Sequence, residues 1–498
     1  MKHDHTIKVN FRGGIISPGE LYDILVAVEK AGITKVKFGL RQQLLIDAMH
    51  ESLGILEEEL RLAAVPYEMD EDIYPNMTSS YPAEEVFIHH TWLSEGVYKD
   101  IFDAFDYRPK LKINISDSNQ SFTPLLTGNI NWVAAPASPH FWYLFIRFPK
   151  TNTIYECREL VYTNDLARMS KAAEELILQN PQAFYDNPKA DGDRLFEILK
   201  KGNYILQPAE HPAKLPSFNL PYYEGLNRYN DKYWLGIYRR DELFSISFLK
   251  DICRLCLATK IGLLCSTPWK SVIVKNIGEK ERVKWNALLA KHQINVRHAA
   301  NELNFQVEDN CSEGLALKDY LLKRFHQDDT RTFGVCIGIK TRKKSEVFSS
   351  ILVRRKALIN IFGIGLFYVY DILCAHDFNP NERTGFVFSS NNPKFLLAEQ
   401  LRRAIFSFHT HRYNVYEPLL DKAAPKKEPA EKKAKPEFVY QCKNCLTVYD
   451  DKLGEPANAV QAGVLFDELP ENFTCSLCES AKEDFVKVDK LLLWSPAI

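Results

Sequence analysis

Near its C-terminal end the chain reads Cys442-Lys443-Asn444-Cys445, then, after twenty-nine residues, Cys475-Ser476-Leu477-Cys478. A Cys-x-x-Cys pair wraps one turn about a metal and offers it two thiolates. Two such turns facing each other make a closed tetrahedral S4 site, the coordination of zinc or of iron in sulfur surroundings. Spacing alone leaves the metal open, although the two pairs of a zinc ribbon usually stand closer together.

The residues around the pairs narrow the choice. They include Tyr449-Asp450-Asp451, Gly454-Glu455-Pro456, Ala462-Gly463-Val464-Leu465-Phe466, Asp467-Glu468-Leu469-Pro470 and Phe473, followed by Ala481-Lys482-Glu483-Asp484-Phe485. Across 438–488 this pattern closely resembles rubredoxin, a small electron-transfer family with one iron held by four cysteines. The resemblance implies one iron on Cys442, Cys445, Cys475 and Cys478. It also implies a small core of Tyr440, Tyr449, Phe466, Phe473 and Phe485. Two departures stand directly after the pairs, where the family has Gly and this chain has Leu446 and Glu479. A non-Gly residue with positive φ costs ~1 kcal/mol, so strained knuckles are expected there. Ser476 also replaces the usual Pro.

At 498 residues the chain is long enough for about three domains of roughly 150 residues. Its 46% hydrophobic and 26% charged residues are those of a globular protein. The net charge of −1 divides into +1 for 1–421, +4 for 422–436 and −6 for 437–498. Nothing in this balance points to nucleic acid; an acidic module on a basic tether fits docking to a basic protein surface. The tether contains only Lys, Ala, Pro and Glu and as a random coil spans about 20 Å. Eleven cysteines, an odd number, and no apolar leader before Ile7 suggest a reducing cytoplasm. Ala357 to Ala375 is the most apolar stretch, but Asn360 and Asp371 interrupt it, so it is expected as buried core rather than a membrane span.

From the N-terminus, Ile7, Val9 and Phe11 alternate as in a strand. Ser17-Pro18-Gly19-Glu20 has the form of a capping box, with Leu21, Ile24, Leu25 and Val28 on one helical face and Gly32 as the stop. Val36 to Leu40 forms the next strand, Arg41 to Ile46 continues into another, and a helix covers about 50 to 64. The pattern returns at Tyr233 to Tyr238, at a helix carrying Leu249, Ile252, Cys253 and Cys256, and at Thr267 to Val274. Setting Trp269-Lys270-Ser271-Val272 beside Arg41-Gln42-Gln43-Leu44 aligns the two blocks as one duplicated domain.

This duplicated block resembles the ferredoxin-like half domain of the sirohaem-dependent nitrite and sulfite reductases. The expected class is α+β. The resemblance implies half domains at 1–70 and 215–300, lobes at 71–214 and 301–421, a tether at 422–436 and a rubredoxin-like module at 437–498. It further implies cations around sirohaem and substrate, here Arg12, Arg41 and Lys270, although solvated or ion-paired cations are the commoner case. The family's [4Fe–4S] ligands lie in Cys-x5-Cys and Cys-x3-Cys motifs. Tyr81 and Phe87, then Ser118 and Phe122, stand at those spacings. With those thiolates missing, no [4Fe–4S] cluster is expected, its link to sirohaem is gone, and tetrapyrrole binding stays open.

Several other features read as ordinary structure. Cys253, Cys256 and Cys265 fit core, Cys157, Cys311, Cys336 and Cys374 are scattered singly, and His89-His90 gives no metal site. Lys340, Arg342, Lys343 and Lys344 with Arg354, Arg355 and Lys356 form a basic run, either a docking surface or a solvated face. The leading functional expectation is an electron carrier, its reductase-like body docking a redox partner such as a reductase. The alternatives are a sirohaem oxidoreductase fed by its own rubredoxin module, and a zinc-holding interaction protein.

Overall fold

The computed structural model describes residues 4–88, 91–342, 347–361, 364–421 and 438–490, and only the backbone of 360–361, 364–366 and 413–421. His89-His90, Lys343, Lys344 and the 422–436 tether lie outside them. The chain is α+β, and Met1–Val415 and Tyr416–Ile498 form two compact units.

In the first unit, Ser17 precedes a helix over Pro18–Lys30, and Leu21, Ile24, Leu25 and Val28 are buried as their spacing requires. Ser17 makes no side-chain cap, so the capping-box expectation is not met; its counterpart Ser245 does cap, accepting from the Phe248 amide at the head of Ile246–Ala258. Strand His5–Val9 pairs antiparallel with Leu44–Ala48, which pairs with Lys35–Phe38. In the second block, Lys232–Ile237 pairs with Val272–Ile277, which pairs with Leu264–Ser266. Each sheet takes an edge strand from the other block. Phe244–Ser245 joins Lys35–Phe38, and Ile15–Ile16 joins Leu264–Ser266.

The aligned segments end in the same turn. The Gly39 amide donates to the Gln43 carbonyl and the Gln42 amide to the Gly39 carbonyl, while the Thr267 amide donates to Ser271 and the Lys270 amide to Thr267. Gln42 and Lys270 hold φ of 64° and 55°, so equivalent positions carry the same left-handed residue. Arg41, Gln42 and Gln43 therefore belong to a turn, and the strand expected from Arg41 begins only at Leu44.

Two further sheets repeat a second pattern. Thr78–Ser79, Ile113–Ser116 and Ile130–Ala134 run parallel, and Phe141–Arg147 returns antiparallel. Phe305–Val307, Ile337–Lys340 and Ile351–Ile361 run parallel, and Ile364–Ala375 returns antiparallel, followed by Gly385–Asn392. The apolar stretch 357–375 thus lies in a long hairpin. Its expected burial is only partly met: Ile372 and Cys374 are buried, but Leu358, Ile359, Phe367 and Tyr368 are exposed. Among the described residues no helix is long and apolar enough to cross a membrane.

The second unit is a three-stranded antiparallel sheet, with Phe438–Cys442 between Val448–Tyr449 and Phe485–Asp489. Tyr449, Phe466, Leu469 and Phe473 form its core, with Tyr440 and Phe485 packed against it. Tyr440 stacks on Phe466 at 3.9 Å between ring centroids. Few aliphatic side chains contribute, so large rings supply most of the buried area of this small core.

Candidate metal centre

Strand Phe438–Cys442 delivers Cys442 to the end of the central strand, and its partner strand starts at Phe485, just past the second pair. Each pair then closes an equivalent turn. The Leu446 amide donates to the Cys442 carbonyl and the Glu479 amide to the Cys475 carbonyl, both at 2.9 Å. The Cys442 and Cys475 amides donate to Thr447 and Ser480, both at 2.8 Å. Closing these turns requires left-handed backbone at the residue after each pair, and Leu446 and Glu479 adopt φ of 64° and 60°. The strain expected at both departures from Gly is present.

The four thiols converge. Their sulfurs all lie within 4.8 Å of one another, with Cys442 to Cys478 at 3.6 Å and Cys445 to Cys475 at 3.4 Å. A tetrahedron with metal–sulfur bonds of about 2.3 Å has edges of about 3.8 Å, so this spacing fits one metal ion. Cys442 and Cys475 are buried, Cys445 is half-buried and Cys478 is exposed.

The surroundings favour the thiolate at two of the four positions, Cys442 and Cys445. Burial opposes ionisation of Cys442, but the Cys445 and Asn444 amides outweigh it and hold its pKa below that of a free thiol. For Cys445 the Thr447 hydroxyl and amide dominate and lower the pKa. Burial prevails at Cys475, pushed up to about 11 despite the Cys478 and Leu477 amides. Thr447 and Ser480 place hydroxyls 3.1 and 3.0 Å from the Cys445 and Cys478 sulfurs. Sequence reading passed over these two, yet both follow the second Cys of their pair at the same distance, a Cys-x-x-Cys-x-Thr/Ser repeat.

In the body, the cations singled out from the sequence do not meet around one cavity. Arg41 is buried and donates to the carbonyls of Asn76 and Ile113 at 2.9 and 3.1 Å and to Asn114 Oδ1 at 3.3 Å. Burial lowers its pKa to about 10. Lys270 is buried against Glu242 at 2.7 Å and Asp309 at 3.4 Å. Arg12 is exposed and donates to the Phe102 and Phe105 carbonyls. The space beside Arg41, between Thr78, Pro268, Gln306 and Phe348, is about 20 Å³, room for about one water. These residues do not fit a tetrapyrrole.

Nor do the residues at the two cysteine spacings fit an iron–sulfur cluster. Tyr81 and Phe122 are 1% and 0% exposed, and Phe87 packs on Phe122 at 4.8 Å. Trp234 meets Phe87 edge-on at 5.4 Å, and Tyr223 and Trp269 close on Phe122 at 5.4 and 6.4 Å. The Trp269 indole donates to the Phe122 carbonyl at 2.7 Å, locking the group. Aromatic rings fill this volume. Among the described residues, the other convergent set of metal-type side chains contains no thiol.

The basic run is largely paired. Arg354 and Lys356 meet the buried Asp371, Arg355 meets Glu313 at 2.5 Å, and Arg342 donates to the Asp309 and Asn310 carbonyls.

The rubredoxin family profile matches residues 439–485. Rubredoxin 4 of Rhodococcus sp. (strain Q15) is 37% identical over 51 residues, 10% of this chain and 85% of that protein. Probable Rubredoxin-2 of Methanocaldococcus jannaschii is 42% identical over 50 residues, again 10% of this chain and 89% of that protein. Among solved structures, the Mycobacterium tuberculosis NirA protein superposes with a TM-score of 0.61, covering 82% of each chain at 14% identity. That likeness is one of fold.

Proposed function

Residues 439–485 make this chain a member of the rubredoxin family, and from that premise we propose that it carries single electrons to or from a redox protein partner such as a reductase, with the NirA-like body serving as the docking part. The observation that carries the reading is the convergence of Cys442, Cys445, Cys475 and Cys478 within 4.8 Å. Iron held there supplies one-electron transfer. All four positions of the tetrahedron belong to protein thiolates, so no substrate has a place on the metal. The Thr447 and Ser480 hydroxyls and the knuckle amides stabilise negative charge on sulfur. Cys478 lies at the surface and supplies the short path to a partner.

The body supports a non-catalytic role. Tyr81, Phe87 and Phe122 offer no soft ligand, and Arg41 and Lys270 hold protein carbonyls and carboxylates together. The reading that makes the body a sirohaem oxidoreductase has only the fold in its favour, and fold does not establish function. Resemblance to the nitrite and sulfite reductases connects the carrier to nitrite, nitrate or sulfite assimilation, with a cytoplasmic setting. The boundaries at 70, 214, 300, 421 and 436 serve as its working domain limits.

Purification of the full chain from iron-replete cells, with metal, acid-labile sulfide and tetrapyrrole analysis, tests the proposal. One iron, no sulfide, no tetrapyrrole and a red colour that bleaches on reduction are expected. A zinc-filled, colourless protein from such cells would refute the carrier. Stoichiometric sulfide with nitrite or sulfite turnover would refute the non-catalytic body.

A further inference from the structure

The sheet that carries the long hairpin is closed on one side and open on the other. Its first strand, Phe305–Val307, is buried throughout. Its last, Gly385–Asn392, pairs with Ile364–Ala375 and has no second strand partner among the described residues. An open edge is a row of unpaired amides and carbonyls, which proteins ordinarily guard with charged side chains or Pro. The strand reads Gly385-Phe386-Val387-Phe388-Ser389-Ser390-Asn391-Asn392, without a Lys, Arg, Asp, Glu or Pro. Two register shifts bend it, but both fall beyond Val387, so Gly385, Phe386 and Val387 stay in regular pairing with Ala375, Cys374 and Leu373.

Apolar surface gathers along the same edge. Phe386 and Val387 are 50% and 54% exposed. At the other end of the strand Asn392 lies opposite Tyr370, close to Phe367 and Tyr368, which are 73% and 41% exposed. Helix Lys394–Asp421 then starts with Phe395 and Leu396, 74% and 44% exposed. A large aromatic side chain buries about 150–250 Å², so at their present exposure the four rings offer about 500 Å². Val387, Leu396 and the polar side chains of the strand bring the edge to about the 800 Å² per partner that a stable complex needs.

The edge also selects its partner. A strand without charge does not repel its own copy, and it offers nothing to attract a charged surface. Two copies related by a twofold axis present the same strand to each other antiparallel, so that amides and carbonyls find partners and the aromatic groups are covered together. Because the opposite edge of the sheet is buried, the pairing closes at two copies and cannot propagate into a fibre.

We propose that Gly385–Asn392, flanked by Phe367, Tyr368, Phe395 and Leu396, is the interface of a twofold homodimer in which the two sheets join edge to edge. The proposal concerns the body and stands apart from the electron-transfer reading.

The test uses the full chain with iron in the four-cysteine site, studied by sedimentation and light scattering across a dilution series. Twice the chain mass is expected, falling toward one chain mass on dilution. Phe386→Lys and Val387→Lys set like charges across the axis and should each weaken association at least roughly tenfold, since like charges facing each other at an interface cost several kcal/mol. Phe395→Ser adds no charge and should weaken it as well, which keeps the test decisive if a Lys variant fails to fold. Leu257→Lys, at an apolar residue 56% exposed on helix Ile246–Ala258, is the control and should leave the dimer unchanged. The iron colour of every variant, and its melting at dilutions where the parent is a single chain, should match the parent. A single chain at every concentration, growth beyond two copies, a dimer that survives all three edge substitutions, or equal weakening by Leu257→Lys would each overturn the proposal.

Discussion

Leu446→Gly isolates the strain in the first metal knuckle. Leu446 is held at φ 64° because the turn must bring its amide 2.9 Å from the Cys442 carbonyl. A left-handed residue with a Cβ costs about 1–2 kcal/mol, whereas Gly adopts it freely but loses about 0.5–1 kcal/mol more chain entropy on folding. The Leu446 side chain is 64% exposed, so little burial is lost. The net expectation is a gain of about 0.5–1 kcal/mol, or about 2–8 °C for a module of this size. The assay is loss of the iron absorbance on heating the full chain at one scan rate. Leu446→Ala is the control: it removes the same side chain yet keeps the Cβ and its strain, so it should gain nothing. If the Gly variant bleaches at or below the temperature of the Ala variant, the turn carries no strain and the argument fails.

Thr447→Val removes a hydroxyl 3.1 Å from the Cys445 sulfur; voltammetry should show a lower reduction potential, because donors to sulfur favour the more negative reduced site. Lys270→Met strands the buried Glu242 and half-buried Asp309 carboxylates and should cost about 3–5 kcal/mol in denaturant melts of the body, with the iron spectrum unchanged. Burial raises the pKa of Asp251, but Lys291, His292 and Arg254 overcome it and hold it at about 2. Its stabilisation is full above the ordinary carboxylate range and is lost as pH falls through that range toward 2. Asp251→Asn should therefore remove on the order of 2 kcal/mol at neutral pH and flatten the acid limb of the stability profile.

The metal centre was legible because its chemistry is local. Four thiolates, the two turns that carry them and the residues after them lie within short runs, so the spacing already states which backbone positions must turn left-handed. The duplicated turn was legible for the same reason, since Gly39 to Gln43 and Thr267 to Ser271 close on themselves. Substitution at the four cysteine positions also shows in sequence. What fills the volume does not: Phe87 and Phe122 meet Trp234, Tyr223 and Trp269 from distant segments. Hydropathy likewise misled for 357–375, because an apolar run says what would gain by burial and not whether a neighbour is there to cover it.

The exchange of edge strands ties the two blocks of the body together by main-chain pairing. Ile15–Ile16 completes the sheet of the second block, and Phe244–Ser245 completes that of the first. Both blocks share one apolar core in which Leu25 and Val28 of one helix and Leu249 and Cys253 of the other are buried together. A prosthetic group at the junction would add contacts to a structure already closed by main-chain pairing. With Tyr81, Phe87, Ser118 and Phe122 at these positions the demand is to fill volume, because an interior hole forfeits dispersion contacts along its whole lining. Large rings meet that demand, and the indole of Trp269 adds a hydrogen bond to the Phe122 carbonyl across the junction. Among the described residues, the thiolate metal site lies in the C-terminal unit.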